Sequence, residues 1–419
     1  MRCEIVAIGT ELLLGQIVDT NSSWLGSELA LAGIDSHLQI KVGDNLDRMV
    51  EVLRGSLERS DAVICCGGLG PTQDDITREA LARVLGVELV FDEDRADIIR
   101  WMFRGRDRAM PANNLLQAHR PEGASFLETQ PGTAPGLRCE TADGKLIYAV
   151  PGVPWEMKEM FTKSILPDLR ERAGIRSVIR SRTLRTWGES ESGLAETLAE
   201  RIVELDGTGN PTIAFLASGG EGIKVRITAK ADDEAAVEAM LAKEEVSIRA
   251  ILGDDLIFGV DGETMESVVI DLLRDRGLTV AVAESLTGGM IGARLTAISG
   301  ASDVFRGGVI SYASEVKFDL LGVEVGPVVS EAAAAGMAEG VRRVIGADVG
   351  LAVTGVAGPD ELEGRPAGTV CMAVSMGAPD DATTLEIRLP GQRDLIRELT
   401  VISVLALLRR RLLATDAVA

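Results

Sequence analysis

The chain has 419 residues, 46% of them hydrophobic, with 64 acidic against 43 basic side chains and a formal net charge of −21. That is enough apolar material for two to four packed domains and too much for a disordered chain. The acidic surplus repels polyanions, so duplex nucleic acid is excluded as an expected partner unless a basic patch offsets it.

In chain order, "CEIVAIG" reads as a buried strand and "NSSWLGSELALAGI" as an amphipathic helix capped near Asn21 or Ser22. "DSHLQIKVG" and "DAVICCGG" read as further strands, and "NLDRMVEVLRGSLERS" and "DDITREALARVLG" as helices. This alternation predicts a parallel sheet covered by helices on both faces. "KLIYAVPG" adds a strand and "WEMKEMFTKSILPDLRERAG" a closing helix. The texture then changes to a small α+β module over 173–259, with strands in "SVIRSRTLRTWG" and "IKVRITAKA". A third, α/β domain is expected over 260–419, opening with "MESVVIDLLRDRGLTVAVAES". Arg409, Arg410 and Arg411 form the one dense basic cluster, read as complementing the dipole at the end of a C-terminal helix.

The five cysteines have no CxxC spacing and read as reduced thiols of a cytoplasmic protein. The first residues turn polar at Thr10 and Glu11, too early for a signal peptide. The apolar run "VISVLALL" is too short to span a bilayer, so no membrane partner is expected. An acidic multidomain chain of this kind is expected as a symmetric homo-oligomer, a dimer being the simplest case.

"CCGGLGPTQDDITREA" places a glycine loop between a strand and a helix. Gly67, Gly68 and Gly70 let backbone N–H groups approach an anion, and Thr72 and Thr77 add hydroxyls. Asp74 and Asp75 would repel a phosphate unless a divalent metal stood between them. The competing reading is a tight turn with Asp74 as helix cap. Neither GxGxxG nor GxxxxGK[ST] is present.

"GTELLLGQIVDTN", "VGDN", "GGLGPTQDDITREA", "PGTAPGL" and "VPGVPWEM" resemble, in order, the N-terminal domain of the CinA family, competence/damage-inducible proteins. That domain is similar to molybdopterin-binding proteins. The resemblance implies a molybdopterin-binding-like α/β fold, a nucleotide ligand and, in some members, metal-dependent hydrolysis of ADP-ribose. It ranks Asp75 above Asp74 as the metal-side carboxylate, with Asp44 the next candidate. The metal's identity is left open. "RTLRTWGESESGLAE" resembles the KH-type connecting domain of the same family, read here as a spacer.

In the last domain "AESLTGG" puts Ser285 between a strand and a glycine pair. The usual base for a serine nucleophile is His, but His37 and His119 both lie far upstream. Past Val260 there is one Lys, Lys317, and one Tyr, Tyr312, five residues apart in "SYASEVK". A desolvated Lys can lose its proton at neutral pH, whereas Arg cannot. The alternative is an ordinary surface Lys beside a packed Tyr. Cys371 reads as a buried structural thiol.

"AESLTGGMIGARLTAISGASDVFRGGVISYASEVKFDLLGV" and "AVTGVAGPDELEGRPAGTV" resemble the CinA C-terminal domain. The resemblance implies an α/β amidohydrolase that converts nicotinamide mononucleotide (NMN) to nicotinate mononucleotide and ammonia, without a cofactor. It implies Ser285 as nucleophile, with Ser302, Tyr312 and Lys317 as proton-handling partners. It places Thr354 and Gly355 against the ligand and Arg393 on the phosphate, with Arg397 as the alternative. Thr287, Gly288 and Gly289 are expected to open the next helix and offer N–H groups to an oxyanion or phosphate. The sequence departs from the family at "GPDELEGRPAGTV", where a glycine pair is lost and Arg365 replaces a usual Lys, and at "GQR" in place of "GDR". A non-catalytic nucleotide- or molybdopterin-binding protein with a decayed deamidase site is the competing expectation.

Overall fold

A computed structural model describes residues 1–104, 110–174, 177–217, 219–377 and 381–416. The chain divides into two compact units, Met1–Arg180 with Lys230–Glu238, and Ser181–Ala229 with Ala239–Ala419. The class is mixed α/β, as the alternating pattern predicts.

The first unit is built on strands β1 (Cys3–Ile8), β2 (Gln39–Val42), β3 (Ala62–Cys66), β4 (Leu89–Phe91), β5 (His119–Pro121), β6 (Ser125–Phe126), β7 (Leu137–Glu140) and β8 (Leu146–Val150). Six of them form a sheet in the order β2-β1-β3-β8-β7-β6, while β4 and β5 pair separately. The first four in that order are parallel, and β7 and β6 run antiparallel at one edge. Every residue of β1, β3 and β8 is buried, which explains their unbroken apolar runs. One face packs Leu25, Leu29, Met157, Phe161 and Leu169, and the other packs Met49, Leu53 and Leu81. Each such side chain contributes about 1.5–3 kcal/mol by leaving water. The chain order reverses between β1 and β3, so their carboxyl ends bound a crevice at a topological switch point.

Two local expectations are corrected here. The helix Thr20–Leu31 is capped by Asp19, whose carboxylate accepts from Ser22 N–H at 2.9 Å, so neither Asn21 nor Ser22 is the cap. The helix Thr77–Leu85 follows Ile76 with no side-chain cap, so Asp74 does not cap it. Gly86 ends that helix in the left-handed region at φ 71°, as the sequence suggests.

The middle module holds β9 (Val178–Thr186), β10 (Thr212–Ala217), β11 (Ile223–Ala231) and β12 (Ile257–Val260) in the order β10-β11-β9-β12. The C-terminal sheet has the order β14-β13-β15-β16-β17, with β13 (Val280–Glu284), β14 (Phe305–Ile310), β15 (Val349–Gly355), β16 (Thr369–Met376) and β17 (Ala382–Arg388). Its first three strands in that order are parallel and the last two antiparallel. Val280 and Val282 face a core with the helices Met265–Asp275 and Arg393–Asp416. Ala281 and Ala283 face the opposite core, against Met337 and Val341 of the helix Glu331–Ile345.

The arginine cluster is not at a helix end. The helix runs on to Asp416, and Arg409, 7% exposed, donates to the carbonyls of Asp254, Asp255 and Ile257. Arg411 pairs with Asp381 at 2.8 Å. No helix among the described residues is long and apolar enough to cross a membrane.

Candidate functional site

The carboxyl ends of β13 and β15 open into a cleft of about 250 Å³ lined by Ser285, Leu286, Tyr312, Gly355, Arg393 and the loop Gly358–Leu362. Ser285 extends the ladder one residue past β13, donating its N–H to Val353 O at 3.1 Å. It is 9% exposed, and its hydroxyl makes no hydrogen bond among the described residues. Tyr312 is 61% exposed and its hydroxyl accepts from Arg393 Nη2 at 2.9 Å. Arg393 Nη1 donates to Gly358 O at 2.9 Å. The structure therefore brings Ser285, Tyr312, Gly355 and Arg393 to one cleft.

Lys317 sits in the short helix Ser314–Asp319, 1% exposed. Its Nζ donates to Ser311 O at 2.6 Å. No carboxylate lies within ion-pair distance of it among the described residues. Burial pushes its ammonium below the usual lysine range, although the charges of Glu363 and Glu315 offset part of that effect. It does not line the cleft or touch Ser285 directly. The backbone of Ser311 lies between them, donating its N–H to Glu284 O at 2.8 Å.

Several expected positions fall elsewhere. Ser302 is exposed on the turn Ala301–Asp303, just before β14. The start of β14 pairs with Val280 at the start of β13, whereas Ser285 follows the end of β13. The two serines thus lie at opposite ends of neighbouring strands, separated by a strand length of roughly 15 Å. Thr354 is buried with its hydroxyl on Val328 O at 2.7 Å and does not line the cleft, although Gly355 does.

The helix after Ser285 begins only at Met290, not at Thr287. Its first N–H groups are already taken. Glu284, 1% exposed, accepts from Gly289 N–H at 2.9 Å, Ile291 N–H at 3.0 Å and Gly292 N–H at 2.9 Å. Gly288 N–H donates back to Ser285 O at 3.1 Å. Neither Gly288 nor Gly289 is free for an oxyanion. The N–H groups of Leu286 and Thr287 are free among the described residues. Arg397 Nε donates to Leu286 O at 3.1 Å and Nη2 to Thr287 O at 3.0 Å. Because trans peptides hold N–H and C=O on opposite sides, the grip on Leu286 O turns Thr287 N–H away from Arg397. Arg397 is a clamp on the turn rather than a ligand for phosphate. Neither this clamp nor the Glu284 cap was named from the sequence, because both partners are backbone groups that spacing does not reveal.

The loop that departs from the family pattern is tied down. Glu363, at φ 55°, accepts from Val328 and Val329 N–H, both at 3.0 Å. Arg365 pairs with Glu386 at 2.8 Å. Asp360, next to Pro359 in that loop, lies on the cleft wall. Cys371 is buried beside Glu386, and burial pushes its thiol up to about 12, away from nucleophilic chemistry.

In the first unit, Gly67 and Gly68 adopt φ 114° and 67°, and a Cβ on Gly67 would collide with Ile8 O. Thr77 is fully buried, its hydroxyl on Gly67 O at 2.9 Å, so it shapes the loop rather than facing a ligand. Arg78, 3% exposed, holds Leu69 O and Gly70 O, both at 2.8 Å. Asp75 accepts from Thr72 N–H at 2.8 Å and from the Thr72 hydroxyl, and packs against Gly70. Asp74 is exposed, and hydrogen bonding from Thr72 holds its carboxyl below the usual range. Asp44, beyond β2, accepts from Thr10 N–H at 2.9 Å and Thr10 Oγ1 at 2.8 Å, on the other side of the switch point. Among the described residues no group of three or more His, Cys, Asp or Glu is arranged to hold a metal. Asp74 and Asp75 alone would form only part of a magnesium shell, of the kind completed by water and ligand phosphates.

Family models match three consecutive parts of the chain: the probable molybdopterin binding domain over 4–171, the damage-inducible protein CinA KH domain over 181–259, and the CinA C-terminal domain over 262–412. A CinA-like protein of Frankia casuarinae is 48% identical over 98% of this chain and 96% of its own length. A putative competence-damage inducible protein of Moorella thermoacetica is 42% identical over 99% of both. Among solved structures, CinA of Thermoplasma acidophilum is 34% identical over 42% of this chain and 98% of its own, with a TM-score of 0.37.

Proposed function

The chain belongs to the CinA family, and on that premise we propose that its C-terminal cleft is a nicotinamide-nucleotide amidase site, converting NMN to nicotinate mononucleotide and ammonia. Ser285 Oγ attacks the carboxamide carbon. Lys317, as the neutral amine, receives the proton. The tetrahedral oxyanion is met by the free N–H groups of Leu286 and Thr287. As the C–N bond breaks, Lys317 returns the proton to the departing ammonia. Water then hydrolyses the acyl-enzyme. Arg393, held at the cleft by Tyr312 and Gly358, meets the phosphate, and Asp360 offers a carboxylate to the cationic pyridinium ring.

The observation that carries this reading is the burial of Lys317, without a carboxylate partner among the described residues, beside the backbone that flanks Ser285. Such a site disfavours the ammonium and supplies a base where the domain has no histidine. The test is ammonia release from NMN by the wild type, Ser285→Ala and Lys317→Ala. Turnover near the wild-type rate in either variant overturns the mechanism.

The crevice between β1 and β3 supports a second activity in the same chain: binding of a nucleotide such as ADP-ribose, with pyrophosphate cleavage. Gly67, Gly68, Gly70 and Thr72 would face the phosphates, and Asp75 with Asp74 would share a divalent metal with them. The metal would neutralise phosphate charge and polarise the attacked phosphorus. AMP formation from ADP-ribose, with and without a chelator, tests this. A protein that binds NMN or ADP-ribose without turning either over would match the competing, non-catalytic reading.

A further inference from the structure

Ser311 is fully buried, and its hydroxyl has no hydrogen-bond partner among the described residues. Leaving a buried hydroxyl unpaired costs about 1–3 kcal/mol, so such a group in a packed core needs a reason. Its place in the sheet supplies one. Glu284 pairs with Ile310 in the parallel ladder of β13 and β14. Ser311 N–H then donates to Glu284 O, and Ser285 N–H to Val353 O, so both strands keep their register for one more residue. Ser285 and Ser311 are therefore side by side on neighbouring strands, about 4.8 Å apart along the sheet.

Alternation puts both hydroxyls on one face. Ala281 and Ala283 belong to the core around Met337, and Val309 packs against the same core. Two residues on along each strand come Ser285 and Ser311. The segment carrying Lys317 also packs there, through Phe318 and Leu321. Lys317 Nζ reaches Ser311 O at 2.6 Å. The three groups thus stand in the order Ser285, Ser311, Lys317. Ser285 Oγ is likewise uncommitted among the described residues, and serine hydroxyls on one face of neighbouring strands come within reach of each other through staggered rotamers.

We propose that the Ser311 hydroxyl is the proton relay between Ser285 and Lys317. This rests on the reading of Ser285 as nucleophile and Lys317 as base. As Ser285 Oγ forms its bond to the carboxamide carbon, its proton passes to Ser311 Oγ, and the Ser311 proton passes to the lone pair of Lys317 Nζ. Lys317 ends as an ammonium that still donates to Ser311 O. In the collapse of the tetrahedral intermediate Lys317 returns its proton to Ser311 Oγ, and Ser311 passes its own directly to the leaving nitrogen, because Ser285 Oγ is now bonded to carbon. The C–N bond breaks, its electron pair goes to nitrogen, and the protonated nitrogen departs as ammonia. Ser302 has no place in this chain of hydroxyls, because it lies at the other end of the paired strands.

The test uses the full chain carrying Ser311→Ala or Ser311→Thr, with Ser285→Ala as blank. Ammonia release gives kcat and KM, calorimetry gives the Kd of NMN, and thermal unfolding reports the fold. p-Nitrophenyl acetate is run in parallel, with the acetyl group on Ser285 read by mass spectrometry. There the ester C–O bond breaks, p-nitrophenolate leaves, and the Ser285 proton follows the same route to Lys317. Ser311→Ala is expected to lower both kcat and the acetylation rate about 10²-fold. KM and NMN binding are expected to hold, and the unfolding temperature to hold or rise, since the hydroxyl bonds nothing among the described residues and its burial unpaired is a cost. Ser311→Thr keeps a hydroxyl and is expected to restore both rates to within about tenfold of wild type. Rates within about threefold of wild type in Ser311→Ala overturn the relay. So does a loss that comes with a lower unfolding temperature and that Thr does not restore. A wild type that acetylates Ser285 yet leaves NMN intact refutes the choice of substrate, and the acetylation rates then decide the relay alone. Absence of both reactions refutes the two together.

Discussion

Lys317 Nζ lies 2.6 Å from the carbonyl oxygen of Ser311, at a position 1% exposed to solvent. One neutral acceptor is a poor exchange for the hydration of an ammonium, so burial works against the charged form. The pH dependence follows. Lys317 is inactive as a base below its folded pKa, so kcat/KM for NMN is expected to rise with pH through a value below the usual lysine range. Stability shares the sign. Between the depressed folded pKa and the higher unfolded one, the unfolded chain holds the extra proton, so stability rises with pH across that window. Lys317→Met is expected to lower kcat by about 10²–10⁴-fold and to remove this pH-dependent rise in urea unfolding curves. A rate profile without that limb contradicts the assignment.

Ser285→Ala separates chemistry from binding. Its hydroxyl makes no hydrogen bond in the resting protein, so binding of NMN by calorimetry is expected to stay near wild type. Ammonia release is expected to fall by about 10⁴-fold or more. Weakened binding of the same size as the lost turnover would place Ser285 in recognition instead.

Arg393 and Arg397 are four residues apart on one helix yet hold different things. Arg397→Ala frees Leu286 O and Thr287 O, loosening the turn that orients the oxyanion donors. It is expected to lower kcat by about 10²-fold with little change in KM. Arg393→Ala removes the cleft-side guanidinium and is expected chiefly to raise KM. Steady-state kinetics on the two variants checks this, and the reverse pattern would exchange their roles.

Glu284 satisfies three N–H groups of the turn and of the helix Met290–Thr296. Glu284→Ala leaves them without that acceptor, the Ile291 N–H in a buried place and the other two in partly buried ones. A destabilisation of about 2–4 kcal/mol is expected from chemical denaturation of the C-terminal unit. An unchanged midpoint would mean that water replaces the carboxylate at no cost.

The chelator experiment separates the two ends of the chain. Removal of divalent cations is expected to stop AMP formation from ADP-ribose and to leave ammonia release from NMN unchanged. Asp75→Asn is expected to reproduce only the first effect.

The β/α alternation, buried runs such as "CEIVAI" and "AVICC", and the glycine stop at Gly86 were all written in the sequence. They reflect local periodicity and backbone freedom, which neighbouring residues determine. The candidacy of the domain's one lysine as base for Ser285 was also readable, because a domain without histidine leaves few other bases. What tertiary structure alone decided is which hydroxyl stands between them. Ser302 and Ser311 are alike as letters. Strand register puts Ser302 on the turn before β14, at the far end of the strands, and sets Ser311 beside Ser285. Register comes from hydrogen bonds between segments distant in sequence, and no spacing along one segment encodes it. For the same reason Arg397, from a distant helix, grips carbonyls of the turn, while within the turn Glu284 takes the Gly289 N–H and Ser285 O the Gly288 N–H that the glycine pair was expected to offer.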